Sequence, residues 1–275
     1  MASLHSFVKR ARDQAGGCAR LTRGQFPCEA VARLVEREVR VATFWKWLGP
    51  LALLAVLVIG DQIRINRPGH KFRLTVDVET PAGVKSASSV LAVTPDRGYS
   101  RGGSTRTSGD AVLVDLGGGK SLLALLAHRD GKLDLAEINY VALRAYNAAA
   151  GKRVNFNDMS KQSGIVPVEG ALIPVLLASF DPANPGSAKL VAPDDTQAVL
   201  GKGFRLRGIT AEVVPNGFWP IDLGGALGEP VTRGIAGKLP WLGEANASGA
   251  AATALKAAGL PEVETIDARE AFTRK

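Results

Sequence analysis

The longest apolar stretch of the chain lies between residues 41 and 60, where Lys46 is the only charged residue. Twenty residues of α-helix rise about 30 Å, which matches the hydrocarbon thickness of a bilayer. Trp45 and Trp47 flank Lys46, and indole and ammonium groups are typical of the headgroup boundary. The pattern predicts a transmembrane helix over residues 44–65 that places Trp45, Lys46 and Trp47 at its N-terminal interface.

Two other interpretations of this stretch fit less well. A helix packed on a protein core would turn a polar face to water, and the run from Leu51 to Ile59 has none. A cleaved signal peptide would end in a small-x-small cleavage pattern, but the sequence GDQIRINR follows Ile59. We therefore interpret the stretch as an uncleaved signal anchor.

The orientation of this anchor depends on the charges around it. The nearest basic residues are Arg33, Arg37 and Arg40 before it and Arg64, Arg67, Lys71 and Arg73 after it. This near balance leaves the positive-inside rule undecided. Both cysteines, Cys18 and Cys28, precede the anchor, so no disulfide is predicted in the large domain. The cysteines favour an N-terminus inside and the large domain outside, which means a bacterial inner-membrane protein with a periplasmic domain.

Residues 1–43 form a basic N-terminal segment with eight Lys and Arg against four Asp and Glu. Its one predicted element is a short amphipathic helix from Glu29 to Arg40, where apolar residues recur at helical spacing. An alternative is that translation begins near Val39 or Val41. In that case the segment would be an extension that the natural protein lacks.

The hydrophobic pattern changes to a period of two after the anchor. Phe72, Leu74, Val76 and Val78 alternate with polar residues, which predicts a half-buried strand over residues 72–80. Turn residues and further apolar runs continue it as an antiparallel meander, with strands at 84–94, 111–116 and 122–127 and an exposed loop at 95–108.

Later segments add helices and more strands. A helix is predicted from Leu133 to Ala149, with Asp134 able to cap its start. Apolar runs predict strands within 170–180 and 204–214, and a short helix opened by Pro-Asp-Asp-Thr is expected to end at Gly201. The prediction is an α+β fold with one or two helices.

The domain organisation follows from these elements. The α+β domain is expected over residues 66–242, and the Ala-rich residues 243–275 are expected to form a flexible tail.

The net charge of +8 raises the question of whether the protein binds nucleic acid. However, residues 61–275 carry twenty-five Lys and Arg against twenty-two Asp and Glu, without basic runs interleaved with aromatics. We therefore predict no nucleic-acid partner.

Several motifs suggest chemistry without completing it. The sequence GGGKS at 117–121 ends like a phosphate-binding loop, but that motif needs a glycine where the chain has Val114. His5, His70 and His128 are too dispersed to form a zinc site or a triad within one motif. Oxygen ligands for calcium could come from Asp181, Asn184, Asp194 and Asp195. Their spacing matches no EF-hand. We predict no catalytic residue, metal site, nucleotide or cofactor.

Five segments carry a family resemblance: FRLTVDVETPAG, GDAVLVDLGGGKSLLALL, LLASFDPANPGSAKLVAPDD, LGKGFRLRGITAEV and EPVTRGIAGKLPWL. With the anchor, they look like a family of uncharacterised proteobacterial single-pass membrane-anchored proteins. The resemblance covers roughly residues 44–242 and implies an anchor followed by one domain. Because no activity is established for that family, it transfers no catalytic residue to this chain.

The preferred function is that of a membrane-anchored periplasmic interaction or structural protein, whose partners are the lipid bilayer and an envelope protein. Arg97, Tyr99, Arg101 and Arg106 in the predicted loop form one candidate surface. Trp241 is the second, as an exposed aromatic anchor. The simpler alternatives are a solvated loop and a tryptophan packed on the sheet.

An enzyme is the less favoured class. The alternative function is a hydrolase-like envelope enzyme whose polar residues converge only in three dimensions. Such an enzyme needs a pocket that gathers His128 with carboxylates or a serine hydroxyl.

Overall fold

The computed structural model describes residues 48–63, 65, 67–95, 105–217, 228–260 and 267–275. The chain divides into two compact units, residues 1–59 and 60–275. Helix α1 is described from residue 48 to residue 63, and every residue from 48 to 60 is exposed. Among the described residues, no helix combines the length and the apolar character needed to cross a membrane. Trp45, Lys46 and Trp47 lie outside the described residues.

The described part of the large unit is an α+β fold with antiparallel sheets and few helices, which confirms the predicted α+β class of this domain. The strands are β1 (His70–Thr80), β2 (Gly83–Pro95), β3 (Thr105–Asp110), β4 (Val112–Gly117), β5 (Lys120–Ala124), β6 (His128–Asp130), β7 (Lys132–Asp134), β8 (Ile165–Pro167), β9 (Leu176–Ser179), β10 (Lys189–Val191), β11 (Arg205–Val214) and β12 (Thr273–Arg274). The helices are α2 (Val141–Ala150), α3 (Gln197–Leu200) and α4 (Ala247–Ala257).

The first sheet has six strands in the order β12-β3-β2-β1-β11-β8. Phe72, Leu74, Val76 and Val78 of the inner strand β1 are fully buried, and the residues between them are partly exposed. β1 pairs with β2 and β11 on its two sides, both antiparallel. The predicted alternation is therefore confirmed, because one face of this sheet covers the core.

The second sheet has four strands in the order β10-β9-β5-β4. Gly109 allows the chain to pass from β3 of the first sheet towards β4 of the second. Its φ is +137°, and an added Cβ would lie 2.5 Å from Cδ2 of Leu91 and 3.2 Å from the carbonyl oxygen of Val90. β4 packs against β2, and one hydrophobic core joins residues of both sheets.

Two predicted elements have different bounds in the structure. The helix expected from Leu133 begins only at Val141, because residues 132–134 pair with β6 instead. Oδ1 of Asp134 accepts a hydrogen bond from the backbone N–H of Ala136, which closes a turn rather than capping a helix. The strand expected within 170–180 is limited to β9. The short helix α3 ends at Gly201, as predicted.

The prediction of a flexible tail over residues 243–275 is wrong for the described residues 243–260 and 267–275. α4 buries Ala251, Ala254 and Leu255 on one face, and Phe272 has only 1% of its surface exposed. β12 then pairs with β3 and completes one edge of the first sheet. The small side chains of α4 allow close packing against the core, so its alanine content marks a packed helix rather than a loose end.

Candidate functional site

A cleft of about 620 Å³ lies beside β3 and β12. Its basic lining residues are Arg106 of β3 and the C-terminal residues Arg269, Arg274 and Lys275. Asp267 and Glu270 supply carboxylates to the same cleft. Counting only residues that the structure describes, the cleft gathers four cationic side chains against two anionic ones.

Arg274 is the most buried of these cations, with 8% of its surface exposed. Nη2 donates to the carbonyl oxygens of Leu126 at 2.6 Å and Leu135 at 2.7 Å, and Nε donates to that of Glu270 at 2.9 Å. No carboxylate of the described residues lies within 4.0 Å of this guanidinium. Burial lowers the pKa of Arg274 from its usual value. Within hydrogen-bonding distance the guanidinium meets only backbone carbonyls, while the carboxylates of Glu270 and Asp134 attract it from further away.

The other cations of the cleft are more accessible. Arg106 and Lys275 are exposed and Arg269 is partly exposed. None of the three forms an ion pair with a residue that the structure describes. By contrast, Oδ1 of Asp267 already accepts hydrogen bonds from Oγ of Ser248 and from the backbone N–H of Arg269. Among the described residues, these three cations therefore have no ion-pair partner, whereas Asp267 is engaged in the fold.

Asn139 holds the wall of the cleft in place. It is buried, and its Oδ1 accepts a hydrogen bond of 2.6 Å from Oγ1 of Thr107. Its Nδ2 donates to the carbonyl oxygen of Thr105 at 2.7 Å. These two bonds fix β3, which carries Arg106, against the turn that precedes α2.

Asp110 holds β12, and therefore Arg274, on the sheet. Oδ1 of Asp110 accepts a hydrogen bond of 2.6 Å from Oγ1 of Thr273, and Oδ2 accepts one of 2.9 Å from the backbone N–H of Ile235. The carboxylate is 2% exposed, and both of its oxygens have partners. Asp110 thus links β3, β12 and the segment that contains Ile235.

The structure places the predicted surface residues differently. Arg106 lies on β3 because residues 105–108 belong to a strand and not to the predicted loop. Arg97, Tyr99 and Arg101 lie outside the described residues.

Trp241 is 5% exposed and meets the ring of Phe272 edge to face at 5.2 Å. This burial contradicts the hypothesis that Trp241 is an exposed anchor, because its indole fills the core beneath α4 and the C-terminal residues.

His128 and Lys120 are also committed to the fold. His128 is 3% exposed, and its Nε2 lies 2.8 Å from the carbonyl oxygen of Leu172. Burial lowers the pKa of His128, and its Nδ1 has no partner among the described residues. Nζ of Lys120 lies 5.4 Å from the ring centre of Phe204 and 5.9 Å from that of Phe180, and donates to a backbone carbonyl. These contacts give His128 and Lys120 structural roles in the fold.

The possible metal ligands take part in turns. Oδ1 of Asp181 accepts a hydrogen bond from the backbone of Ala183, and Oδ1 of Asn184 accepts one from that of Gly186. In the part of the chain that the structure describes, no three His, Cys, Asp or Glu side chains are grouped to hold a metal ion. Comparisons with protein-family models, with curated proteins and with solved structures found no match.

Proposed function

We propose that the protein is a membrane-anchored interaction protein whose α+β domain lies on the periplasmic side of a bacterial inner membrane. The observation that carries this proposal is the exposure of α1. Leu51, Leu54, Leu57 and Ile59 have 56–61% of their surfaces exposed. Their positions around the helix leave no polar face, which is typical of a helix surrounded by lipid.

Transfer of these side chains from water to lipid would favour the membrane strongly. Each fully buried leucine or isoleucine contributes about 1.5–3 kcal/mol. The preceding residues 41–47 add Trp45, Lys46 and Trp47, which fit the headgroup boundary. The proposed anchor is therefore α1 together with these residues. The resemblance of the sequence to proteobacterial membrane-anchored proteins also predicts an anchor at this place.

The cleft beside the C-terminus supports an interaction role for the domain. It offers Arg106, Arg269 and Lys275 without carboxylate partners among the described residues, on a wall that Asn139 holds in place. Such accessible, positioned cations are a binding surface rather than a catalytic group. No specific observation in the described residues favours the hydrolase-like alternative, since His128 is buried against a backbone carbonyl.

Membrane attachment is tested by alkaline carbonate extraction of cells that express the full chain. We expect the protein in the membrane pellet. The double variant Leu54→Arg, Val58→Arg should move it to the soluble fraction, because arginine is costly at the centre of a membrane helix. The matched control is Val84→Arg, Ile165→Arg, which places the same charges at exposed apolar residues of the strands. Equal extraction of the two variants would contradict the anchor.

Orientation and interaction need separate measurements. A C-terminal alkaline phosphatase fusion should be active, and activity of a cytoplasmic reporter alone would reverse the proposed orientation.

Affinity purification from gently solubilised membranes should recover a stoichiometric envelope protein. Recovery of the full chain alone, as a monomer, would contradict the interaction role.

A further inference from the structure

We propose that the cleft beside the C-terminus binds a ligand that carries a carboxylate group, through Arg106, Arg269 and Arg274. This inference deepens the proposed function, because it gives the chemical class that the binding surface recognises. The ligand is either a small dicarboxylate or an acidic side chain of a peptide. The two sources share the same carboxylate chemistry.

The first argument is that no carboxylate of the described residues contacts the buried guanidinium of Arg274; Glu270 and Asp134 attract it only from beyond 4.0 Å. A buried guanidinium without a contacting counter-anion is unfavourable, since carbonyl dipoles replace only part of its hydration. Nη1 of Arg274 makes no hydrogen bond with the described residues, although Nη2 and Nε are both engaged. Arg274 lines the cleft. A carboxylate in the cleft would supply the counter-anion, and guanidinium and carboxylate groups match in planar geometry.

The second argument is the position of the other arginines. Arg106 comes from β3 and Arg269 from the turn before β12, so cations from separate segments line one cavity. Neither makes an ion pair with a described residue. A ligand carboxylate would therefore displace no ion-pair partner that the structure describes.

The sign pattern of the cleft favours a carboxylate over a dense polyanion. Asp267 and Glu270 line the same cavity and would repel a chain of phosphates. One or two carboxylates carry less charge than a chain of phosphates, so this repulsion is smaller for them. The volume of about 620 Å³ is also within the range of small-molecule and short-peptide sites.

The test is isothermal titration calorimetry on the full chain in uncharged detergent micelles. The probes are succinate, the blocked tripeptide acetyl-Glu-Gly-Glu-amide, and inorganic phosphate at matched ionic strength. We expect saturable binding of succinate or of the peptide. The one that binds more tightly identifies the source of the carboxylate.

Two double variants locate the binding. Arg106→Gln, Arg269→Gln should weaken it at least about tenfold, because each removes a charge-assisted hydrogen bond. Lys152→Gln, Arg153→Gln removes the same charge from exposed residues outside the cleft and should leave the affinity unchanged. Both pairs are accessible, so neither change needs to disturb the core, unlike a substitution of Arg274.

Three results would overturn the inference: no binding of either carboxylate probe, equal affinities in the two double variants, or tighter binding of phosphate than of both carboxylates. The calorimetry does not depend on where the protein lies in the cell. A failure here together with a carbonate-resistant membrane pellet would reject the ligand class and keep the anchor. Binding of a carboxylate probe together with loss of the protein from the carbonate-washed membrane pellet would keep the ligand class and reject the anchor.

Discussion

Asp110 and His70 are both almost completely removed from water, with 2% and 0% of their surfaces exposed, yet of the two only Asp110 has side-chain hydrogen-bond partners among the described residues. Both carboxylate oxygens of Asp110 accept bonds from distant segments. Both ring nitrogens of His70 lack a partner among the described residues, and its ring packs against Phe72 and Phe156 instead. One buried polar group therefore holds the fold together, while the other weakens it.

The comparison predicts its largest effect at Asp110. Asp110→Ala should lower the free energy of unfolding by about 4 kcal/mol, because it leaves the backbone N–H of Ile235 and the hydroxyl of Thr273 without acceptors and opens a small cavity. Denaturant unfolding followed by circular dichroism measures the loss. Asp130→Ala, at an exposed position of β6, is the control. A loss no larger than that of the control would show that the two hydrogen bonds do not stabilise the fold.

Strand β1, which begins at His70, can be predicted from the sequence, whereas the hydrogen bonds of Asp110 cannot, and the reason is physical. The alternation of Phe72, Leu74 and Val76 predicts β1 directly, since one face of a half-buried strand repeats every two residues. Asp110 gives no such signal. Its partners Ile235 and Thr273 are more than a hundred residues away in sequence, and only the tertiary fold brings them together.

The same limit applies to the cleft. Arg106 is recognisable as a candidate, but Arg269 and Arg274 lie in a stretch whose alanine content is typical of a loose end. The available signal is the helical spacing of Ala251 and Leu255 together with the aromatic Phe272, apolar residues that a solvated tail does not need. The carbonyls that hold Arg274 are backbone groups, which any residue type provides, so their role is invisible in the sequence.

The second effect is a pH dependence of stability caused by His70. Burial lowers the pKa of His70 from 6.5 to about 4. Between these pH values the unfolded chain binds a proton that the folded chain does not, so the free energy of unfolding falls as the pH falls from 6.5 to 4. The expected loss is about 3 kcal/mol.

Denaturant titrations at intervals between these two pH values measure this loss. His70→Leu should remove most of it. The remainder should come from His128, whose pKa burial also lowers. An unchanged pH dependence in the variant would place its origin elsewhere.

The third effect is a gain in stability near neutral pH. His70→Leu should raise the free energy of unfolding by about 1–2 kcal/mol, because it replaces two unpartnered buried nitrogens with apolar atoms of similar volume beside Phe72 and Phe156. Thermal unfolding of the full chain in micelles measures the gain. His70→Gln is the matched control, because it keeps polar atoms in the same site and should not stabilise. Destabilisation by leucine would mean that the imidazole packing outweighs its unpaired nitrogens.

The smallest effect belongs to the charged residues on the outer side of the same sheet. Arg73 bonds to Glu212 and Glu229, and all three side chains are about one-third exposed. The pKa of Arg73 is raised above its usual value, and the side-chain hydrogen bond to Glu229 is the largest cause. Because water screens these charges, Glu229→Gln should cost only about 0.5 kcal/mol, and added salt should reduce that cost further. Denaturant unfolding at low and high salt measures both. A cost as large as that of Asp110→Ala that does not change with salt would contradict this prediction. It would show that the solvent exposure of the Arg73–Glu229 pair does not weaken it relative to the buried bonds of Asp110.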